Sequence, residues 1–163
     1  TNNQSGSNNF SRLLGLDGNF WLTSFLKGEA LLAKTFNPTG KEEDVLGTGR
    51  LIFSKFNLDA DLRYDAIGPE FVPEMGFVMQ NDLRRSSADL GYTQWINHRF
   101  LRSISYTGTF EYDTLYNRDY LGRRQKGGAT VTLESADKFG YSLETASERI
   151  YDPFTVGDRK SVV

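Results

Sequence analysis

The sequence predicts an all-β fold, an up-and-down antiparallel meander, from three observations. Apolar and polar residues alternate with a period of two along most of the chain. Almost no stretch carries a helical period of 3.6. Glycine, tyrosine and phenylalanine each far outnumber methionine. Successive side chains of an extended strand point to opposite faces, so this alternation marks strands with one apolar and one polar face.

Residues 1–9, "TNNQSGSNN", read as a polar flexible tail, and residues 10–163 as one β-rich segment. A first strand is expected near Phe10 to Leu16, closed by "DGN" (Asp17 to Asn19), a composition that suits a tight turn. Next, Phe20, Leu22, Leu26, Ala30 and Leu32 oppose Thr23, Lys27 and Glu29. After a longer break, "KTFNPTGKEE" (Lys34 to Glu43), Val45, Gly47, Gly49, Leu51 and Phe53 oppose Asp44, Thr48, Arg50 and Ser54. The short "KFN" (Lys55 to Asn57) leads to Leu58, Ala60, Leu62 and Tyr64, opposed by Asp59, Asp61, Arg63 and Asp65.

A long break from Ile67 to Asn81 precedes Ala88, Leu90 and Tyr92, which oppose Ser87, Asp89 and Thr93. Beyond "NHR" (Asn97 to Arg99), Ile104, Tyr106, Phe110 and Tyr112 oppose Ser103, Ser105, Thr107, Thr109, Glu111 and Asp113. The break "LYNRDYLGRR" (Leu115 to Arg124) is long again, and Ala129, Val131 and Leu133 then oppose Thr130, Thr132 and Glu134. The short "DK" (Asp137, Lys138) gives way to Phe139, Tyr141 and Leu143, opposed by Ser142 and Glu144, and "YDPFTVGDR" (Tyr151 to Arg159) follows. About eight strands result.

The breaks run short, long, short, long. That rhythm predicts part of an outer-membrane-type β-barrel, which has tight turns at one rim and long loops at the other. A Greek-key sandwich has no reason to keep it. Phe20, Trp21, Phe53, Phe56, Trp95, Phe100, Phe139 and Tyr141 gather beside the short turns, and Tyr64, Tyr112, Tyr116 and Tyr151 towards the long breaks, as two interfacial belts would. Both ends of the strand set fall on the long-loop side and "KSVV" (Lys160 to Val163) reads as the opening of a further strand, so an excerpt of a larger barrel is expected. The polar side, the lumen of such a barrel, is expected to carry Asp59, Asp61, Arg63, Asp65, Arg85, Asp89, Glu111, Asp113, Glu134 and Glu144, with opposite charges pairing across strands. Lys126 joins them, and the acid excess would favour cations.

Composition excludes several classes of function. A net charge of −2 argues against a nucleic-acid partner. Cysteine is absent, which removes disulfides, thiolate metal sites and a cysteine nucleophile. No run of about 18 apolar residues predicts a membrane-spanning helix. His98 is the sole histidine and falls at a turn, "GTG" (Gly47 to Gly49) lies within a strand rather than opening a helix, and the serines lack a nucleophile-elbow pattern. The protein is therefore expected to be non-enzymatic, with no catalytic residue, cofactor or metal.

The stretch "GPEFVPEMGF" (Gly68 to Phe77) breaks the alternation. Pro69 and Pro73 fix φ and remove donors, Gly68 and Gly76 allow turn conformations, and Phe71, Met75 and Phe77 can anchor a folded loop. Phe71, Pro73, Glu74, Gly76 and Phe77, followed by Arg84 and Arg85, resemble a motif of the family called domain of unknown function 5916. Met79 and Gln80 stand where that family carries an arginine. The resemblance covers about twenty residues. It implies a β-rich C-terminal region of a Gram-negative surface protein whose N-terminal domain is similar to family 9 carbohydrate-binding modules.

The reading that follows is a non-enzymatic outer-membrane barrel segment of a Gram-negative bacterium, with a pore or surface-anchoring role linked to glycans. Its expected partners are membrane lipid or lipopolysaccharide, a glycan, and a protein of an outer-membrane complex. The basic run Arg118, Arg123, Arg124 and Lys126 lies in or beside a long loop, where it can meet lipopolysaccharide phosphates. Two alternatives stay open. One is a soluble β-sandwich binding carbohydrate through Trp21 or Trp95, and the other a structural subunit whose strand edges pair with another polypeptide.

Overall fold

The computed structural model describes residues 12–36, 45–71 and 81–149. Eight strands account for nearly all of them: β1 (Arg12–Thr23), β2 (Leu26–Phe36), β3 (Val45–Lys55), β4 (Leu58–Ile67), β5 (Leu83–His98), β6 (Leu101–Thr114), β7 (Tyr120–Leu133) and β8 (Lys138–Glu148). They form one antiparallel sheet in the order β1 to β8, each strand paired with its neighbours in sequence. The up-and-down meander read from the sequence is therefore what the chain builds, and no strand crosses over another as in a Greek-key sandwich. The sheet is open: β1 and β8 are its two edges and do not pair with each other. Closure into a barrel is thus not a property of these eight strands.

Short turns meet at one end. Ser24 and Phe25 join β1 to β2, where the Thr23 hydroxyl accepts a 3.3 Å hydrogen bond from the Phe25 amide. Phe56 and Asn57 join β3 to β4, with Phe56 at φ 54°. Arg99 and Phe100 join β5 to β6. The β7–β8 turn is closed by Leu133 N–H donating to the Asp137 carbonyl at 2.9 Å. At the other end lie the longer connections, of which the β6–β7 loop is held by Leu115 N–H on the Asp119 carbonyl at 2.8 Å.

Several boundaries differ from the sequence reading: the β1–β2 turn falls at Ser24 and Phe25, inside the stretch Phe20 to Leu32 whose alternation reads as one strand, and Lys34 to Phe36 belong to β2. Asp17, Gly18 and Asn19 form no turn; they pair with Leu31, Ala30 and Glu29 inside β1. The period-two pattern runs straight through them, Leu14, Leu16, Gly18 and Phe20 sharing a face, and full pairing outweighs the local turn preference of Asp-Gly. β7 begins at Tyr120, so Arg123 and Arg124 are strand residues rather than loop residues. Glu134 lies in the β7–β8 turn, off the sheet face, its amide donating to the Phe100 carbonyl at 3.2 Å.

One sheet with nothing stacked on it buries little. Among the described residues, the large apolar side chains buried are Phe71 (3% exposed) and Leu83 (6%). Even in the central strands, Leu62 and Leu90 remain about half exposed (47% and 52%).

Candidate functional site

Register sorts the side chains of all eight strands onto two chemically distinct faces. On one face lie Leu14, Leu16 and Phe20 of β1, Leu32 of β2, Leu51 and Phe53 of β3, and Leu58, Leu62 and Tyr64 of β4. Leu90 and Tyr92 of β5, Tyr106, Phe110 and Tyr112 of β6, Val131 of β7 and Phe139, Tyr141 and Leu143 of β8 continue it. Nearly every exposed large apolar strand residue is on this side; Leu13, Trp21 and Trp95 fall on the other. Aromatic rings gather near the two ends of the apolar face. Tyr92 and Tyr106 stack at 6.4 Å towards the short turns, and Tyr112 and Tyr120 approach to 5.8 Å towards the long loops. Gly28 lies beneath the Phe20 ring, where a Cβ atom would overlap it.

Every carboxylate within the strands is on the opposite face. Asp59, Asp61, Asp65, Asp89, Glu111, Asp113 and Glu144, expected on the polar side, are there, as is Glu29, which alternation sets opposite Leu26, Ala30 and Leu32, together with Asp17 and Glu148. Arg63 and Arg85 share it.

Charges on this face are organised across strands. Arg50 reaches from β3 to Asp61 of β4, its Nε donating to Oδ1 at 2.9 Å and to Oδ2 at 3.0 Å, with Nη2 also on Oδ2. The same guanidinium faces Glu29 of β2 at 3.5 Å, and Lys27 Nζ meets Glu29 at 2.6 Å, so the network spans three strands. Arg85 of β5 makes a bidentate pair with Asp113 of β6, at 2.9 Å and 2.7 Å, and lies 3.8 Å from Glu111. Arg63 and Asp65 pair along β4 at 2.9 Å, and Arg124 and Glu144 across β7 and β8 at 3.4 Å. Hydroxyls complete the lattice: Thr109 donates to Asp89 at 2.7 Å and Ser54 to Asp59 at 2.6 Å, and Thr93 and Ser105 lie 3.1 Å apart. Arg50 is the residue whose role the sequence reading understated. Alternation puts it on the polar face, but nothing local in the sequence indicates that it joins Glu29 to Asp61.

Of the motif loop, Phe71 is described and buried, its amide donating to the Gly68 carbonyl at 3.3 Å. Pro73, Glu74, Gly76 and Phe77 lie outside the described residues, as do the tail at residues 1–9, Tyr151 and Lys160 to Val163. Asn81 donates to the Pro69 carbonyl at 2.7 Å, and Asp82 accepts from the Tyr116 amide at 3.0 Å, tying the loop's return to the β6–β7 loop. His98 ends β5 with its ring 6.4 Å from Phe100. Among the described residues, no group of three or more histidine or acidic side chains is placed to hold a metal ion. What the arrangement can do is separate two media: one face suits hydrocarbon, the other suits water. No protein-family model, curated protein or solved structure matches the chain.

Proposed function

We propose that the chain is a wall segment of a transmembrane β-barrel in the outer membrane of a Gram-negative bacterium, its apolar face against lipid and its charged face lining the lumen. The observation that carries this reading is the segregation itself. Every strand carboxylate lies on one face, while exposed Leu, Phe and Tyr side chains lie on the other in every strand but β7, which adds Val131. A water-exposed apolar face of this extent is unfavourable for a soluble monomer, whose largest apolar patch covers only a few hundred Å². Against acyl chains it costs nothing.

Strand length supports the same reading. The strands run from 10 to 16 residues, against about 9–11 for a tilted strand crossing the hydrocarbon layer. The open edges of β1 and β8 call for further strands to close the wall, from the same polypeptide or from another in an outer-membrane complex. The acid-rich face would line a cation-favouring passage, and the resemblance around Phe71 links the wall to a glycan-binding surface protein. Trp21 and Trp95, exposed on the polar face, offer rings on which a sugar can stack.

Dispersion is the direct test. The purified chain should require detergent or lipid to remain monodisperse and should insert into vesicles; a folded, monodisperse protein in plain buffer contradicts the reading.

A further inference from the structure

The charged residues that register places on the apolar face are all cations, and they are not spread along it. Arg12, Lys34, Arg84 and Arg123 fall at the long-loop end, and Lys55, whose ammonium lies over the Phe25 ring at 4.3 Å, at the short-turn end. Between these ends the face carries no charge.

Two of the long-loop cations form a pair of arms around one strand. Arg123 of β7 is directly opposite Tyr112 of β6, which is opposite Ser86 of β5; Arg84 is one step further, opposite Thr114. Two strand spacings of about 4.8 Å and a two-residue step of about 6.8 Å separate them, so long side chains from both sides reach a ligand lying over β6. Tyr112 and Tyr120 provide the floor between, and the Arg84 guanidinium lies 4.3 Å above the Tyr116 ring. Arg84 Nε is buried without a hydrogen-bond partner, and no described carboxylate forms an ion pair with Arg84 or Arg123. The polar face behaves differently: Arg50, Arg63, Arg85 and Arg124 each meet an acid there.

Cations without carboxylate partners, at the boundary between a lipid-facing surface and long loops, match an anionic headgroup rather than acyl chains. We infer that Arg84 and Arg123 bind the phosphates of lipid A in the outer leaflet. The inference rests on the membrane reading above and adds to it an orientation, with long loops on the lipid A side. It also reassigns the phosphate-facing role within the basic run, since Arg124 and Lys126 point to the opposite face.

The test compares the full chain with an Arg84→Gln/Arg123→Gln variant and an Arg124→Gln/Lys126→Gln control. Each is reconstituted into phosphatidylcholine vesicles doped with lipid A, with dephosphorylated lipid A or with phosphatidylglycerol, and the co-purifying lipid is quantified by mass spectrometry. Each charge-assisted bond to phosphate is worth roughly tenfold in affinity. The first variant should therefore retain lipid A at least about tenfold more weakly than wild type, while the control matches wild type. An Arg84→Lys/Arg123→Lys variant should recover part of the retention. Dephosphorylated lipid A should not be held, and phosphatidylglycerol, with its single phosphodiester charge, should be held more weakly than lipid A. Insertion with equal lipid A retention by wild type and the first variant overturns the site alone, as does equal retention of the dephosphorylated lipid or phosphatidylglycerol. Failure to insert into any vesicle overturns the membrane reading and this inference together.

Discussion

Arg85 and Asp113 face each other directly across β5 and β6, and the guanidinium meets both carboxylate oxygens, at 2.9 Å and 2.7 Å. The pair is half-buried on the polar face and Asp65 flanks it in the next strand, so one arginine sits in register between two acids. Arg85→Leu should destabilise the folded state by about 1–2 kcal/mol, because Asp113 loses its charge partner while still partly desolvated. A double-mutant cycle with Asp113→Leu, followed by urea unfolding in lipid vesicles, should return a coupling of about 1 kcal/mol. The same cycle on the more exposed Arg124 and Glu144 should give a coupling near zero.

The two faces should respond oppositely to added charge. Leu62→Arg, in the middle of the apolar face, should cost about 2–4 kcal/mol of folding free energy in a bilayer. Thr107→Arg on the other face should cost less than about 1 kcal/mol. Equal penalties at both positions would mean that both faces meet the same medium.

Gly28 leaves room for the Phe20 ring to lie over β2. Gly28→Val should destabilise by about 1–3 kcal/mol, since its side chain must displace the Phe20 ring. Combining it with Phe20→Ala should cost less than the sum of the two changes, measured in the same unfolding assay.

Phe56 holds φ 54° in the two-residue β3–β4 turn while 93% exposed, a conformation that costs a bulky residue roughly 1–2 kcal/mol and buries nothing in return. Phe56→Asn should therefore raise stability by about 1 kcal/mol in urea unfolding. Reduced vesicle affinity in the same variant would identify a belt role for the ring at the short-turn rim.

The meander was legible because period-two alternation and turn composition are local signals, and from Val45 to Leu143 they agree with each other. The side of Glu29, Asp59, Asp61, Asp65, Asp89, Glu111, Asp113 and Glu144 followed from parity alone. Misreadings arose where a local signal opposed a non-local one: Asp17-Gly18-Asn19 has turn composition but is held in β1 by pairing with residues 29–31. Glu134 has strand parity but sits where Leu133 and Asp137 close a turn. The Glu29–Arg50–Asp61 network was not legible, because an arginine's choice of acid depends on cross-strand register, which no single strand encodes.

The central claim is that alternate residues of one strand meet lipid and water. The chain has no cysteine, so single nitroxide labels can be placed along Leu58 to Asp65 without background, and their collision rates with oxygen and with a water-soluble nickel complex measured in vesicles. Positions 58, 60, 62 and 64 should be oxygen-accessible, and 59, 61, 63 and 65 nickel-accessible, alternating without a break. Uniform accessibility to nickel along the strand, or protection of the even positions from both reagents, would contradict the account.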